Sequence, residues 1–190
     1  MSLKHAILGL LTITPMTGYD LKHRAFDVAI THFWKADQSQ IYRTLNRLAE
    51  NGWVQATVEE QDERPDRKVY SITDAGRTEL MTWLTKEQRP PATRDPFLVQ
   101  LFFAAHLDHE TILEHIAHQR AVHEAKLQQY QQIEMPQLGD PELDRTRLFW
   151  RLTLEMGIAT EQNYLDWLTR CEAIVRALDN SSATTSSQES

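Results

Sequence analysis

Between residues 38 and 46 the sequence sets short polar and basic side chains around an apolar row. Gln38, Ser39, Gln40, Tyr42, Arg43 and Asn46 alternate with Ile41, Leu45 and, one turn on, Leu48. At helical spacing this gives a dry back and a wet front. The front suits double-stranded DNA: Gln38, Gln40 and Asn46 can pair with adenine, Arg43 with guanine, and Ser39 or Tyr42 with phosphate. Asp37 or Ser39 can cap the helix start, whose amides carry partial positive charge, and Asn51-Gly52 can stop it in left-handed geometry. Upstream, Thr17 is an N-cap for a helix from Gly18 to about Phe26, which offers Tyr19 and Lys22 to the flanking backbone. Downstream, Arg64, Arg67 and Lys68 gather three cations around Pro65 and Asp66, a set suited to backbone or minor-groove contact. Taken singly, these charges read as ordinary solvated faces. The order of turn, polar-fronted helix and basic hairpin is what points to DNA.

The elements that must position these groups follow from periodicity. Leu3, Ala6, Ile7, Leu10 and Leu11 mark a first helix. From Trp53 to Val58 and from Val69 to Thr73, β-branched and aromatic residues predict two strands flanking the charged loop Glu59 to Lys68. Thr73-Asp74-Ala75-Gly76 opens a further helix through Leu80, Met81 and Leu84. Three helices, a hairpin and a helix, in that order, are a winged helix-turn-helix over residues 1–88.

Arg89 to Asp95, with Pro90-Pro91, reads as a linker. Residues 96–179 read as a helical dimerisation domain: Pro96 to Ala105, about Asp108 to Met135, and about Glu142 to Leu178 with a break or bend near Gly157. Ile112, Ile116, Gln119, His123, Lys126, Tyr130 and Ile133 form a heptad-like seam with polar interruptions. Leu154, Ile158, Glu161, Leu165, Leu168, Glu172 and Val175 repeat it. These two helices, joined by residues 136–141, form an αα-hairpin of coiled-coil-like helices. Ile112, Ile116, Tyr130, Leu154, Ile158, Leu165, Leu168 and Val175 are its dimerisation residues. Residues 180–190, rich in Ser and Thr, read as a disordered tail. The fold class is therefore mainly α, with one small β-hairpin wing.

Composition narrows the function. The net charge is −7, but residues 1–88 carry 11 Lys/Arg against 12 Asp/Glu, so the acidity sits mainly in the second half. That acidity also fits a rival reading, a winged-helix module that binds protein and not DNA. No apolar run reaches the roughly 18–20 residues of a membrane span. A single cysteine, Cys171, fits a reducing cytoplasm and a packing role. The histidine pairs His106/His109 and His115/His118 lack the converging partners of a metal site. No phosphate loop, nucleophile elbow or carboxylate pair is present, so neither cofactor nor catalysis is expected.

Several stretches are similar to the PadR family of transcriptional regulators, in its virulence-activator AphA type. They are Thr17-Gly18-Tyr19-Asp20, Phe33-Trp34-Lys35-Ala36, Gln40-Ile41-Tyr42-Arg43-Thr44-Leu45, and the run from Pro65 to Arg77. The C-terminal half resembles that family's helical domain from Thr93-Arg94-Asp95-Pro96-Phe97 onward. The resemblance implies a homodimer held by the C-terminal helices, with two wings on DNA. It places Tyr19, Lys22, Gln40, Tyr42, Arg43 and Lys68 where the family meets DNA. It also implies a small aromatic effector, for which Trp34, Phe97, Phe102, Phe149 and Trp150 are the candidate pocket. The plainer reading of these rings is core and interface packing. Target promoters, the direction of regulation, and contact with RNA polymerase or a second regulator lie beyond the sequence.

Overall fold

The computed structural model describes residues 3–186, except 29, 32, 60–66, 91–93 and 142; beyond residue 178 it describes the backbone alone. Two compact units meet in sequence at Pro90 and Pro91, and each is described by itself.

In the first unit, α1 (Leu3–Ile13) buries Ile7, Leu8, Leu10 and Leu11, the face its periodicity predicts. A two-residue strand, β1 (Met16–Thr17), follows. Helix α2 opens as an α turn over Gly18–Asp20, with the Thr17 hydroxyl accepting from the Asp20 amide, and continues as a wider π-type turn over Leu21–Phe26. Helix α3 (Gln38–Glu50) begins with a reciprocal cap: the Asp37 carboxylate accepts from the Gln40 amide at 2.7 Å, and the Gln40 side chain accepts from the Asp37 amide at 3.3 Å. Such a box satisfies two otherwise orphaned donors. Ile41, Leu45 and Leu48 are fully buried, each contributing about 2 kcal/mol. Gly52, at φ +68°, provides the left-handed stop, while Asn51 keeps right-handed geometry.

Strands β2 (Val54–Glu59) and β3 (Arg67–Ile72) pair antiparallel from Val54↔Ile72 to Glu59↔Arg67. β1 adds to the other edge of β3, with Thr17 opposite Val69, giving the order β1-β3-β2. Of the residues in β2 and β3 only Val54 and Tyr70 are buried, so the paired strands are anchored at their base. Helix α4 (Asp74–Leu84) is capped by Thr73, whose hydroxyl accepts from Gly76 and donates to the Gly52 carbonyl at 2.7 Å. It packs on α1 through His5, stacked on Trp83 at 4.4 Å, and through Glu79, which accepts from Lys4 and lies 3.1 Å from His5.

In the second unit, Asp95 caps α5 (Pro96–Phe102), accepting from Phe97 and Leu98, with Pro96 at the favoured first position. A 3₁₀ turn, Ala104–His106, leads to α6 (His109–Gln131), capped by Asp108. Helix α7 (Arg145–Ser186) runs unbroken through Gly157, where the sequence allowed a break or a bend. It also carries residues 180–186, expected to be a disordered tail, as helix. Helices α6 and α7 pair antiparallel. Their core with α5 holds Phe97, Ala104, Ile112, Ile116 and Leu168.

Candidate nucleic-acid interface

The capping box fixes where α3 begins and therefore which side chains its first turns present. Gln38, Ser39, Gln40, Tyr42, Arg43 and Asn46 are all exposed, opposite the buried row. Two of them are linked to the cap: the Ser39 hydroxyl donates to Asp37 at 2.7 Å and accepts from the Arg43 guanidinium at 3.4 Å. The Ser39 hydroxyl and the Gln40 amide hold the Asp37 carboxyl below its ordinary range. Gln40 serves the cap with its side-chain oxygen, so its role at the surface is shared with its role in the helix start.

Tyr42 joins α3 to α2. A Cβ on Gly18 would stand 2.5 Å from Tyr42 Cε1, so glycine is required for the ring to lie where it does. On α2, Tyr19 is 58% exposed with its ring 4.3 Å from that of His23. Lys22 differs from expectation: its ammonium is paired with Asp27 and its side chain is largely covered. Arg24, with 79% of its side chain exposed and only a loose 3.6 Å contact with Asp20, is the more available cation of α2. The sequence reading passed over it, although its i, i+4 spacing from Asp20 was visible.

The wing cations divide. Arg64 lies outside the described residues. Lys68 is exposed, its ammonium 5.4 Å from the centre of the Tyr70 ring. Arg67, with 46% of its side chain still exposed, donates to Asp20 Oδ2 at 2.6 Å. Asp20 also accepts from the Thr17 hydroxyl at 2.7 Å and is itself buried. Burial by itself would raise the Asp20 pKa, but the Thr17 hydroxyl and the Arg67 guanidinium outweigh it and keep the carboxyl below its usual range. Arg67, predicted to face DNA, is thus held by a buried carboxylate.

The aromatic set does not assemble within either unit. Trp34 packs against the core of the first. In the second, Phe97 is buried in the core, edge-on to Trp167 at 6.0 Å. Phe102, Phe149 and Trp150 are exposed. Phe102 meets Phe103, and together with Arg94, Pro96, Leu98 and Val99 they border an open groove on α5. Arg145 lies over Phe149.

The seam residues also need correction. Ile112, Ile116, Tyr130, Leu154 and Leu168 are buried within a single chain, by the pairing of its own α6 and α7. Covered already within one chain, they leave little surface for a second. Ile158, Leu165 and Val175 are half-buried, Val175 against the same core. The polar seam positions pair across the hairpin: His123 bonds to Glu161, Lys126 approaches Glu161 at 3.9 Å, and Arg120 donates to Glu172 at 3.0 Å. His123 stacks on Tyr164, whose hydroxyl donates to Asp95 at 2.9 Å. Cys171 is half-buried, and burial raises its thiol pKa, which disfavours the thiolate. Among the described residues no cluster of three metal-ligating side chains occurs, and no helix is long and apolar enough to cross a membrane.

Comparison with known proteins matches residues 7–82 to the transcriptional regulator PadR-like family and residues 93–176 to the virulence activator alpha C-terminal family. A probable transcriptional regulator of Mycobacterium tuberculosis is 38% identical over 88% of this chain and 94% of its own. The negative transcriptional regulator PadR of Bacillus subtilis is 30% identical over 93% of this chain and 97% of its own. The structure of that PadR in complex with operator DNA superposes with a TM-score of 0.80, covering 92% of this chain and 99% of the other at 29% identity. Its complex with p-coumaric acid gives 0.72 at 28% identity, covering 93% and 99%. The Vibrio cholerae virulence activator AphA gives 0.74 at 31% identity, also covering 93% and 99%.

Proposed function

The chain belongs to the PadR-like family of transcriptional regulators, in its AphA type, and from that premise we propose that it binds an operator as a homodimer. The observation that carries this reading is the α3 front, capped by Asp37, braced through Tyr42 on Gly18, and flanked by the hairpin bearing Lys68. In this arrangement α3 enters the major groove, with Arg43, Asn46 and Gln38 at base edges. Arg24, Tyr19 and Lys68 meet the backbone on either side. Two-fold symmetry then asks for a pseudo-palindromic site with half-sites about 34–36 Å apart.

The dimer surface we assign differs from the seam. It comprises the exposed apolar residues of α5 (Leu98, Val99, Phe102, Phe103) and of the first half of α7 (Phe149, Trp150, Leu152, Met156). Exposed side chains of this size in two sets suit an isologous contact, in which each set of one chain meets the other set of its partner. A small planar aromatic acid is the effector class we assign, since the Bacillus subtilis relative is seen with p-coumaric acid. A shift in Trp fluorescence on titration with such acids supports it, and a flat response across the class removes it.

Fluorescence anisotropy on DNA from the chain's own upstream region, at two salt concentrations and against scrambled DNA, tests the main reading. Tighter, salt-sensitive binding to the native duplex is expected, because each phosphate contact releases counterions. Equal and salt-insensitive binding to both duplexes would refute it in favour of a winged helix that serves a protein partner.

A further inference from the structure

Asp20 and Arg67 are 47 residues apart, yet their side chains meet at 2.6 Å, at the junction of the two elements that flank α3. Asp20 closes the first turn of α2, three residues after Thr17. Arg67 opens β3, two residues before Val69, the partner of Thr17 in the sheet. The ion pair therefore closes a small ring whose other side is the β1–β3 pairing. Asp20 is only 9% exposed, and its other carboxylate contacts are the Thr17 hydroxyl that also caps α2 and, loosely at 3.6 Å, Arg24. A guanidinium so engaged has a fixed place, and a buried carboxylate is costly to leave without it.

We propose that Arg67 is a positioning residue: it acts through Asp20 to set the angle of the wing against the helix-turn-helix, and does not itself contact DNA. This rests on the DNA-binding reading above. The mechanical reason is the thinness of the wing's base. Of the twelve residues in β2 and β3, only Val54 and Tyr70 are buried, so apolar packing alone pins the hairpin at one end. Arg67 lies at the other end of the paired segment, opposite Glu59, where the strands leave the body of the unit. A brace there fixes where Lys68 and the residues beyond arrive relative to the α3 front. The brace gains further rigidity because Asp20 belongs to the same short helix as Tyr19 and Arg24.

The proposal inverts the expected sign of one substitution. Asp20 is an acid near the DNA face, so charge alone says that Asp20→Asn tightens binding to a polyanion. The brace says it loosens binding. Anisotropy on the upstream duplex should show Asp20→Asn and Arg67→Gln each weakening binding about tenfold, with the double variant no weaker than the weaker single one. Asp20→Asn binding as well as or better than wild type overturns the proposal. So does a double variant whose loss equals the product of the two singles, since that is the mark of independent action.

A DNA-free arm separates this from the reading it rests on. Amide hydrogen exchange should be faster at Val69 to Ile72 in both single variants, with α6 amides unchanged as an internal control for folding. Unchanged exchange in β3 overturns the brace. If wild type binds no duplex in a salt-sensitive way, the DNA-binding reading fails and the positioning role with it, while exchange still reports whether the ion pair holds the wing.

Discussion

Gly9→Ala and Gly76→Ala make the same chemical change in two helices of the first unit, and their surroundings give the two changes opposite signs. At Gly9, inside α1, an added Cβ meets nothing within 4 Å. What changes there is the backbone freedom of the unfolded chain, so alanine stabilises by about 0.5–1 kcal/mol. At Gly76 in α4 the Cβ would stand 2.1 Å from the Trp53 carbonyl oxygen and 2.9 Å from Ile72 Cγ1. The obstacle is backbone, and it is tied on both sides: the Trp53 carbonyl accepts from Thr73 at 3.1 Å, and the Trp53 amide donates to Leu48 at 2.9 Å. Helix α4 must therefore back away from the base of the wing. Such overpacking costs about 1–3 kcal/mol, and loosening the Thr73 bond adds roughly 1, against a helix-propensity gain of up to about 1. The net loss is on the order of 1–3 kcal/mol. Exchange of the α3 core amides, which open only with the whole unit, reads this directly. Gly9→Ala should slow them about two- to fivefold, and Gly76→Ala should speed them from about fivefold to about a hundredfold. Gly76→Ala exchanging at the wild-type rate would refute the reasoning.

Three further outcomes are expected. Gly18→Ala keeps the fold but drives the Tyr42 ring aside, since the new Cβ falls 2.5 Å from Cε1; operator affinity drops about tenfold by anisotropy, with circular dichroism unchanged. Burial holds the pKa of His5 below 6.5, against the opposing hydrogen bond to the Glu79 carboxylate, and its Nδ1 has no partner. The unfolded state therefore binds the proton first, so the first unit keeps full stability above about pH 6.5 and loses it as pH falls below that value toward the lowered folded pKa. Melting curves should show this slope in wild type and a shallower one in His5→Phe, which keeps a ring on Trp83; equal slopes would acquit His5. Leu168→Ala, deleting a fully buried side chain of the α6–α7 seam, should cost about 2–5 kcal/mol, whereas Met156→Glu, at a 69%-exposed position, should shift light-scattering mass toward the monomer without that loss. Loss of the dimer by Leu168→Ala at unchanged stability would restore the seam as the interface.

The sequence made the first unit legible because its signals are local. Thr17, Asp37 and Thr73 cap helices by bonding residues two or three positions on, and Gly52 stops α3 by its own backbone freedom. The front of α3 follows from its back. What pattern could not supply is contact across long separations. Strand β1 is two residues long and exists only because β3 lies beside it. The π-type turn of α2 buries Leu21, Ala25 and Phe26, a spacing an α-helix shares. The tail misled for a different reason: residues 180–186 have a composition that cannot start a helix, but they extend one already formed, and propagation escapes the cost of nucleation. A lone Gly157 costs a helix about 1 kcal/mol, too little to break one packed along its length.

The seam and Arg67 are hard to read from sequence for a common reason. Periodicity reveals that a face is apolar or a side chain charged; it does not reveal what meets that face or charge. The residues from Ile112 to Tyr130 and from Leu154 to Leu168 satisfy the heptad rule equally well for a partner chain or for the other arm of one hairpin. The short connection through residues 136–141 favours the hairpin, because it raises the effective concentration of α7 beside α6 far above that of a second molecule. Once the seam is filled from within, the proposed dimer draws on other residues. Those left over are the apolar side chains that the seam pattern excluded: Phe102 and Phe103 on α5, Phe149, Leu152 and Met156 on α7. The same logic applies to the wing. Three cations in a row look equivalent along the chain, but Arg67 has a buried carboxylate within reach and Lys68 has solvent. A charge already bound in the free protein has less to gain from phosphate than one that is not, so the DNA-facing charge is read by subtraction. On the proposed reading it lies on Lys68, Arg43 and Arg24, the cations left most open once the tighter pairs of the fold are set aside.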